Sequence, residues 1–428
     1  MVVILGALRT RGAARTAGRL SAVAAVSAAA WYDSFHLVSK PPLHGFFDLR
    51  VYRGAVQWWL EGGHLYAFQL PHSTYGFTYP PFAAVVMLPL AWLSLEVESV
   101  LVTAASGVAV IGLTWWLIGP WAARYGWSRW FATALAVPVV VALEPIRETL
   151  GYGQVNLLIL ALIVADVVPL RRHRAWAGVG IGLATALKVT PGLFVVFLFL
   201  AGRRRAAAVA TATFLTATLL AAAASVSTSE QYWTRELWDT SRVGHLDRTN
   251  NQSMLGVLAR LAYPEEPSRS VWLLAAGALL LLGMTRAVRA YRAGDDLAAV
   301  TLVGLTACGI SPISWTHHLV WVVPALVVLL DVATGTPLHD GAPRWLRERP
   351  REVAAGAGVL GLVVAVPFLL SLVWVFAQSR QDGGAIGALS RDSYDLLLVA
   401  LVAFLPIRGA RAVERSSGPP PPGGWSPR

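Results

Sequence analysis

A few polar residues in an otherwise apolar chain are of types that do chemistry. Asp48 stands in Phe46-Phe47-Asp48-Leu49-Arg50-Val51-Tyr52-Arg53, a carboxylate among aromatic rings. Such a carboxylate can take a proton from a hydroxyl, or it can cap a helix beginning at Leu49. The residues leave both roles open. Lys188, in Leu187-Lys188-Val189-Thr190-Pro191, and Lys40 are the only lysines beside 33 arginines. A lysine in an apolar stretch is a functional candidate, as a point charge for a phosphate, with snorkelling from a tilted helix as the plainer reading. The adjacent His317 and His318 point in different directions on a helix, so they predict no metal site and at most one ring facing a shared cavity. Gln154 and Asn156, in Gly153-Gln154-Val155-Asn156, suit recognition of hydroxyls, and Asn251-Gln252 lie in another polar stretch. Phe46, Phe47 and Tyr52 around Asp48 supply aromatic surface that suits sugar or lipid and is equally normal at a membrane interface. Glu144 and Glu148 flank Arg147 and read as its structural partners rather than as catalysts.

The elements that must position these groups follow from composition. Of 428 residues, 56% are hydrophobic and 14% charged, about half the charge content of an ordinary globular domain. Apolar runs of 15 to 25 residues recur along the chain, the pattern of an all-α polytopic membrane protein rather than of a β-barrel. The net charge of +11 comes from arginines in short loops between spans, which reads as membrane topology and not as nucleic-acid binding. The single cysteine, Cys308, excludes an intramolecular disulfide and any cysteine-based metal site.

Arg9, Arg11, Arg15 and Arg19 precede an apolar run to about Tyr32, which predicts an uncleaved first span with a cytoplasmic start. Residues 34–96 are then external. The apolar run at 80–95 is short and interrupted near Pro89, and the acids Glu96 and Glu98 follow it. It predicts a juxtamembrane helix on the outer face rather than a span. Spans are expected at 97–119 and 129–144, then an outer loop at 145–153 and a span at 154–170. Residues 175–201 lie between two arginine clusters that should both be inner, so they predict two short helices meeting near Lys188 and Pro191. Further spans at 206–226, 269–287, 297–312, 316–333, 353–377 and 394–407 make about twelve, with both termini inside. Residues 1–415 form one transmembrane domain, and the Ser/Gly/Pro-rich 416–428 a disordered cytoplasmic tail. This register brings the unusual polar residues to the outer side.

The order Asp48-Leu-Arg-Val-Tyr52, Tyr79-Pro-Pro, Gly153-Gln154-Val-Asn156, Leu187-Lys188-Val-Thr-Pro191 and the late His317-His318 pair resembles glycosyltransferase family 87. The resemblance implies the GT-C fold and a polyprenyl-phosphate-sugar-dependent transferase of actinobacterial type, which includes α-1,2-mannosyltransferases of phosphatidylinositol mannosides and lipomannan. It implies Asp48 as catalytic base and His317 or His318 near the reaction, with the Tyr-Pro-Pro helix similar to the juxtamembrane helix of other GT-C enzymes. The expected partners are a lipid-linked sugar phosphate donor, a glycolipid or lipoglycan acceptor and membrane lipids, with no cofactor and no metal. Lys188, Arg53 and Arg147 are expected at the donor phosphate, and Tyr52, Tyr79, Gln154, Asn156, Asn251 and Gln252 at the substrates. Arabinofuranose in place of mannose, and a lipid or sugar transporter, are the alternatives. The expected location is the cell membrane, with the site facing outward.

Overall fold

The computed structural model describes residues 2–32, 34, 44–375 and 384–409, without the side chains of 2–15, 17 and 241. Lys40, the tail 416–428 and the side chains of Arg9, Arg11 and Arg15 lie outside what is described. Among the described residues the chain is helical, with no β-strand beyond two isolated bridges. Among the described residues, five helices are long and apolar enough to cross a membrane, six if one bent pair counts as a single span.

Local sequence explains where these helices start and stop. Ser94 caps the Leu95–Arg124 helix by accepting from the Val97 N–H at 3.4 Å, with Glu96 and Glu98 in its first turn and Arg124 in its last. Asp295 caps Asp296–Ile310 through the Ala298 N–H at 3.1 Å. That helix is apolar all round and almost wholly buried, as such a helix must be. Arg408, 4% exposed, seals one end of the bundle by binding Asp295 at 2.9 Å and Asp331 at 2.5 Å. It is a buried ion-pair centre, not a loop charge.

Three irregular stretches shape the site. The first is Phe47–Leu60, which packs Val51, Tyr52, Ala55 and Val56 into a small core with Phe77, Tyr79 and Tyr232. After it, Pro81–Met87 and the 3-10 turn Leu88–Trp92 form a short apolar stretch, with Pro81 in the first turn where a missing N–H costs nothing. Second, the expected loop at 145–153 is instead a helix, Glu144–Tyr152, bent 74° from Arg129–Ala142. Leu143 turns extended between them, and Pro145 fits the first turn of the new helix. The polar residues there had hidden a helix that buries Glu144, Arg147 and Glu148. Third, residues 175–201 form two short helices, Val179–Leu187 and Gly192–Leu200, with Lys188–Pro191 as the break between them.

Candidate active site

A cavity of about 1370 Å³ is lined by Asp48, Tyr52, Tyr79, Gln154, Asn156, Lys188 and the two histidines. Along its wall runs a hydrogen-bonded chain drawn from three separate stretches, one of which supplies both of its ends. Tyr52 donates to the Tyr79 hydroxyl at 3.0 Å, and Tyr79 donates to Gln154 Oε1 at 2.7 Å. Gln154 Nε2 donates to Asp48 Oδ2 at 2.7 Å. Beside it, Lys188 Nζ donates to Asn156 Oδ1 at 2.9 Å and lies 5.4 Å from the Tyr79 ring centroid. The Asn156 amide in turn donates to the His317 carbonyl at 3.0 Å.

Backbone geometry makes this convergence possible. The Phe47–Leu60 helix is preceded by Gly45 and Phe46, both with left-handed φ (60° and 54°), and the Phe46 N–H is tied to the Gly151 carbonyl at 3.1 Å. Gly153, with φ 71°, ends the Glu144–Tyr152 helix and turns the chain so that Gln154 meets Asp48. A Cβ at Gly153 would lie 2.8 Å from Leu49 Cβ, so the two motifs touch only because this residue is glycine. Asp48 therefore sits in the first turn of its helix rather than at the cap. Its position favours a negative charge, and its oxygen is held by a side chain instead of the helix's own N–H groups.

Asp48 is half-buried, and desolvation raises its pKa from 3.8 to about 6. The Gln154 hydrogen bond and the Lys188 charge pull it down, Glu148 pushes it up, and burial wins. A carboxylate tuned this way is charged at neutral pH, yet basic enough to accept a proton in a reaction. Burial together with the Asp48 charge keeps the Tyr52 phenol protonated, so it serves as a donor in the chain.

Both histidines line the cavity, not one, with their rings edge to face at 4.7 Å. The Trp315 N–H donates to His318 Nδ1 at 3.2 Å, which leaves the proton of that ring on Nε2. A kinked 3-10 turn, Thr316–Trp321, carries them, and Leu319 has non-helical dihedrals. Regular helical spacing, which would have splayed the two rings, therefore does not apply.

Four expected site residues lie elsewhere. Arg53 is off the cavity wall, ion-paired with Glu98 at 3.4 Å and donating to the Leu93 carbonyl at 2.9 Å. Arg147 is buried among the Ala142 carbonyl, the Leu369 carbonyl and Ser371 Oγ, which it meets at 2.5 Å. Asn251 and Gln252 are fully buried, and their amides clamp backbone. Asn251 binds Leu246 O and Ser314 N at 2.9 Å, while Gln252 binds Thr249 O and Arg391 O at 2.6 Å and Asp395 N at 3.1 Å. Glu144 accepts from Trp374 Nε1 at 2.7 Å and from the Tyr394 hydroxyl. Residues that sequence reasoning passed over include His44 and Tyr152, both on the cavity wall, and Arg248, whose guanidinium lies 5.7 Å from the Tyr75 ring centroid.

Comparison with known proteins points to one family. The family description of glycosyltransferase family 87 matches residues 77–312. A polyprenol-phosphate-mannose-dependent alpha-(1-2)-phosphatidylinositol mannoside mannosyltransferase of Mycolicibacterium smegmatis is 36% identical over 310 residues, 67% of this chain and 70% of the relative. Its namesake in Mycobacterium tuberculosis is 35% identical over 317 residues, 70% of this chain and 73% of the relative. A phosphatidylinositol pentamannoside mannosyltransferase of Mycobacterium tuberculosis, also polyprenol-phosphate-mannose-dependent, is 34% identical over 343 residues, covering 78% of this chain and 74% of the relative. No solved structure matches the chain. On the strength of the matched residues and these relatives, the chain belongs to glycosyltransferase family 87.

Proposed function

We propose that this protein is a membrane mannosyltransferase that moves mannose from polyprenyl-phosphate-mannose to a hydroxyl of a mannosylated lipid or lipoglycan, forming an α-1,2 linkage, with no cofactor. The donor and linkage rest on the names of the relatives. The reading of the chemistry rests on one observation: a half-buried carboxylate and a lysine line one cavity, each held by a side-chain amide.

Asp48 accepts the proton of the acceptor hydroxyl while that oxygen attacks the anomeric carbon of the donor. The bond from that carbon to the phosphate oxygen breaks, and polyprenyl phosphate leaves with the bonding pair. A phosphate needs no general acid to leave, only stabilised charge, and Lys188 supplies it, with the His318 Nε2–H as a second donor on the same cavity. A single displacement inverts the centre, so a β-linked donor gives an α product. Asn156 holds Lys188, while Tyr52, Tyr79 and Gln154 hold Asp48. The reading places the cavity and the Pro81–Trp92 stretch on the outer face, where lipid-linked sugars rather than nucleotide sugars are present, and both termini inside.

The family membership favours a transferase over a transporter, and mannose is separated from arabinofuranose by direct assay. Purified full-length protein in vesicles should transfer label from polyprenyl-phosphate-mannose to a hydrophobic α-mannoside. Transfer from the arabinofuranose donor alone would overturn the choice of sugar.

A further inference from the structure

His44 belongs to none of the motifs that define the site, yet it lies on the cavity wall four residues before Asp48. Two contacts fix it. Its Nε2 donates to Glu148 Oε1 at 2.9 Å, and its ring lies flat on Tyr152, with centroids 3.9 Å apart and planes within 1°. Glu148 is 3% exposed, and its second oxygen accepts from the Thr316 hydroxyl at 3.3 Å. Tyr152 continues the packing to His317, centroid to centroid 5.3 Å. The imidazole is thus held at its edge and on its face before any substrate arrives.

A buried carboxylate is costly unless it is paired, and two carboxylates sharing one poorly solvated space disfavour each other's ionisation. The Phe46 N–H bond to Gly151 O ties the segment of His44 to the helix of Glu148, so the pair and Asp48 form one structural unit. The ionisable groups acting on Asp48 are Lys188, Glu148 and His44, and the phenols facing it are Tyr52, Tyr79 and Tyr152. Of the first three, Glu148 and His44 are bonded to each other.

We propose that His44 and Glu148 form a positioning pair that sets the charge balance at Asp48, and hence the pH at which Asp48 becomes a base. The proposal rests on the reading of Asp48 as the base. Glu148 opposes ionisation of Asp48, and a protonated His44 favours it, the smaller of the two effects. Because the pair is hydrogen-bonded, each member limits the other's influence on the site. Neither needs to touch the reacting atoms.

The test is the pH dependence of kcat/KM for mannosyl transfer by the full-length chain in vesicles, with polyprenyl-phosphate-mannose and a hydrophobic α-mannoside. Glu148→Gln keeps the shape and removes the charge, and should move the acid limb to lower pH by about 0.5–1 unit. His44→Gln keeps an N–H donor for Glu148 but cannot carry a charge, and should move the limb to higher pH. The double variant removes both charges together while leaving an amide donor and an amide acceptor in their places, and should place the limb below that of the parent. A merely structural pair would lower the rate or the unfolding temperature and leave the limb in place in all three variants. That outcome overturns the proposal. Asp48→Asn separates the two ideas: if that variant keeps parental transfer, the base assignment fails, whereas if it is inactive while the limbs stay fixed, only the positioning pair fails.

Discussion

Gln154 Nε2 donates to Asp48 Oδ2 at 2.7 Å across 106 positions of sequence, joining the two motifs that carry the site. The Gln154 amide can do this because its oxygen is already occupied by the Tyr79 hydroxyl at 2.7 Å, which fixes which end faces the carboxylate.

Burial of the Asp48 carboxylate sets a pH dependence, which this bond moderates. The pKa of Asp48 is raised from 3.8 to about 6 by burial, so its carboxylate is protonated, and unable to accept, below that value. The transfer rate should therefore fall about tenfold per unit below pH 6 and level off above it. Gln154→Leu removes a bond that favours the charged form, so its acid limb should lie at higher pH than the parent's. A rate profile for the two proteins measures both points. The stability sign is opposite: a carboxylate with a raised folded pKa favours folding at low pH, and that contribution is lost as the pH rises through about 6. Asp48→Asn should therefore unfold no earlier than the parent at neutral pH.

Lys188 offers a separate test. Its ammonium is held by Asn156 at 2.9 Å and lies over Tyr79, so its charge is fixed in place on the cavity. Lys188→Met should lower kcat/KM by roughly 10²–10³, the scale for removing a charge-stabilising donor, with the fold retained. Lys188→Arg should recover only part of this, since a planar guanidinium does not fit a site built for a point charge. Steady-state rates with varied donor decide the matter.

Gln252 should behave in the opposite way. Its amide satisfies two carbonyls and one N–H in a fully buried place. Gln252→Ala leaves those groups unpaired and should cost about 1–3 kcal/mol in stability. Thermal unfolding should shift, while the KM for either substrate stays close to that of the parent.

Gly153→Ala probes the junction itself. The added methyl meets Leu49 Cβ at 2.8 Å, and the backbone there has φ 71°. The strain should cost about 1 kcal/mol or more. Because Gln154 is the next residue, transfer should fall by more than the loss of folded protein explains, as seen by comparing activity with the folded fraction from unfolding curves.

Some of this was legible in the sequence. Arginine clusters flanking residues 175–201, with Pro191 between them, called for a broken helix, and the break falls at Lys188–Pro191. Asp48 stood out because a lone acid among aromatic residues is unusual, and its partner Gln154 lay in a recognisable motif. Arg53 was misread because it is five residues beyond Asp48, about 140° round the helix, and so faces away from the cavity. Asn251 and Gln252 were misread because an amide's type does not reveal whether its partners are sugar hydroxyls or backbone. The Glu144–Tyr152 helix was missed because its polar residues face inward to partners far along the chain. His44 gave no signal at all, since Glu148 and Tyr152, which define its role, lie more than a hundred residues away.

The most direct measurement is single-turnover transfer by Asp48→Asn, with donor binding and thermal unfolding measured on the same preparation. Asparagine keeps the shape of the side chain and an oxygen that can accept from Gln154, but cannot take a proton. The account predicts a folded protein that binds polyprenyl-phosphate-mannose as the parent does and transfers mannose at least about 10²-fold more slowly. Transfer at the parental rate by the folded variant would contradict it.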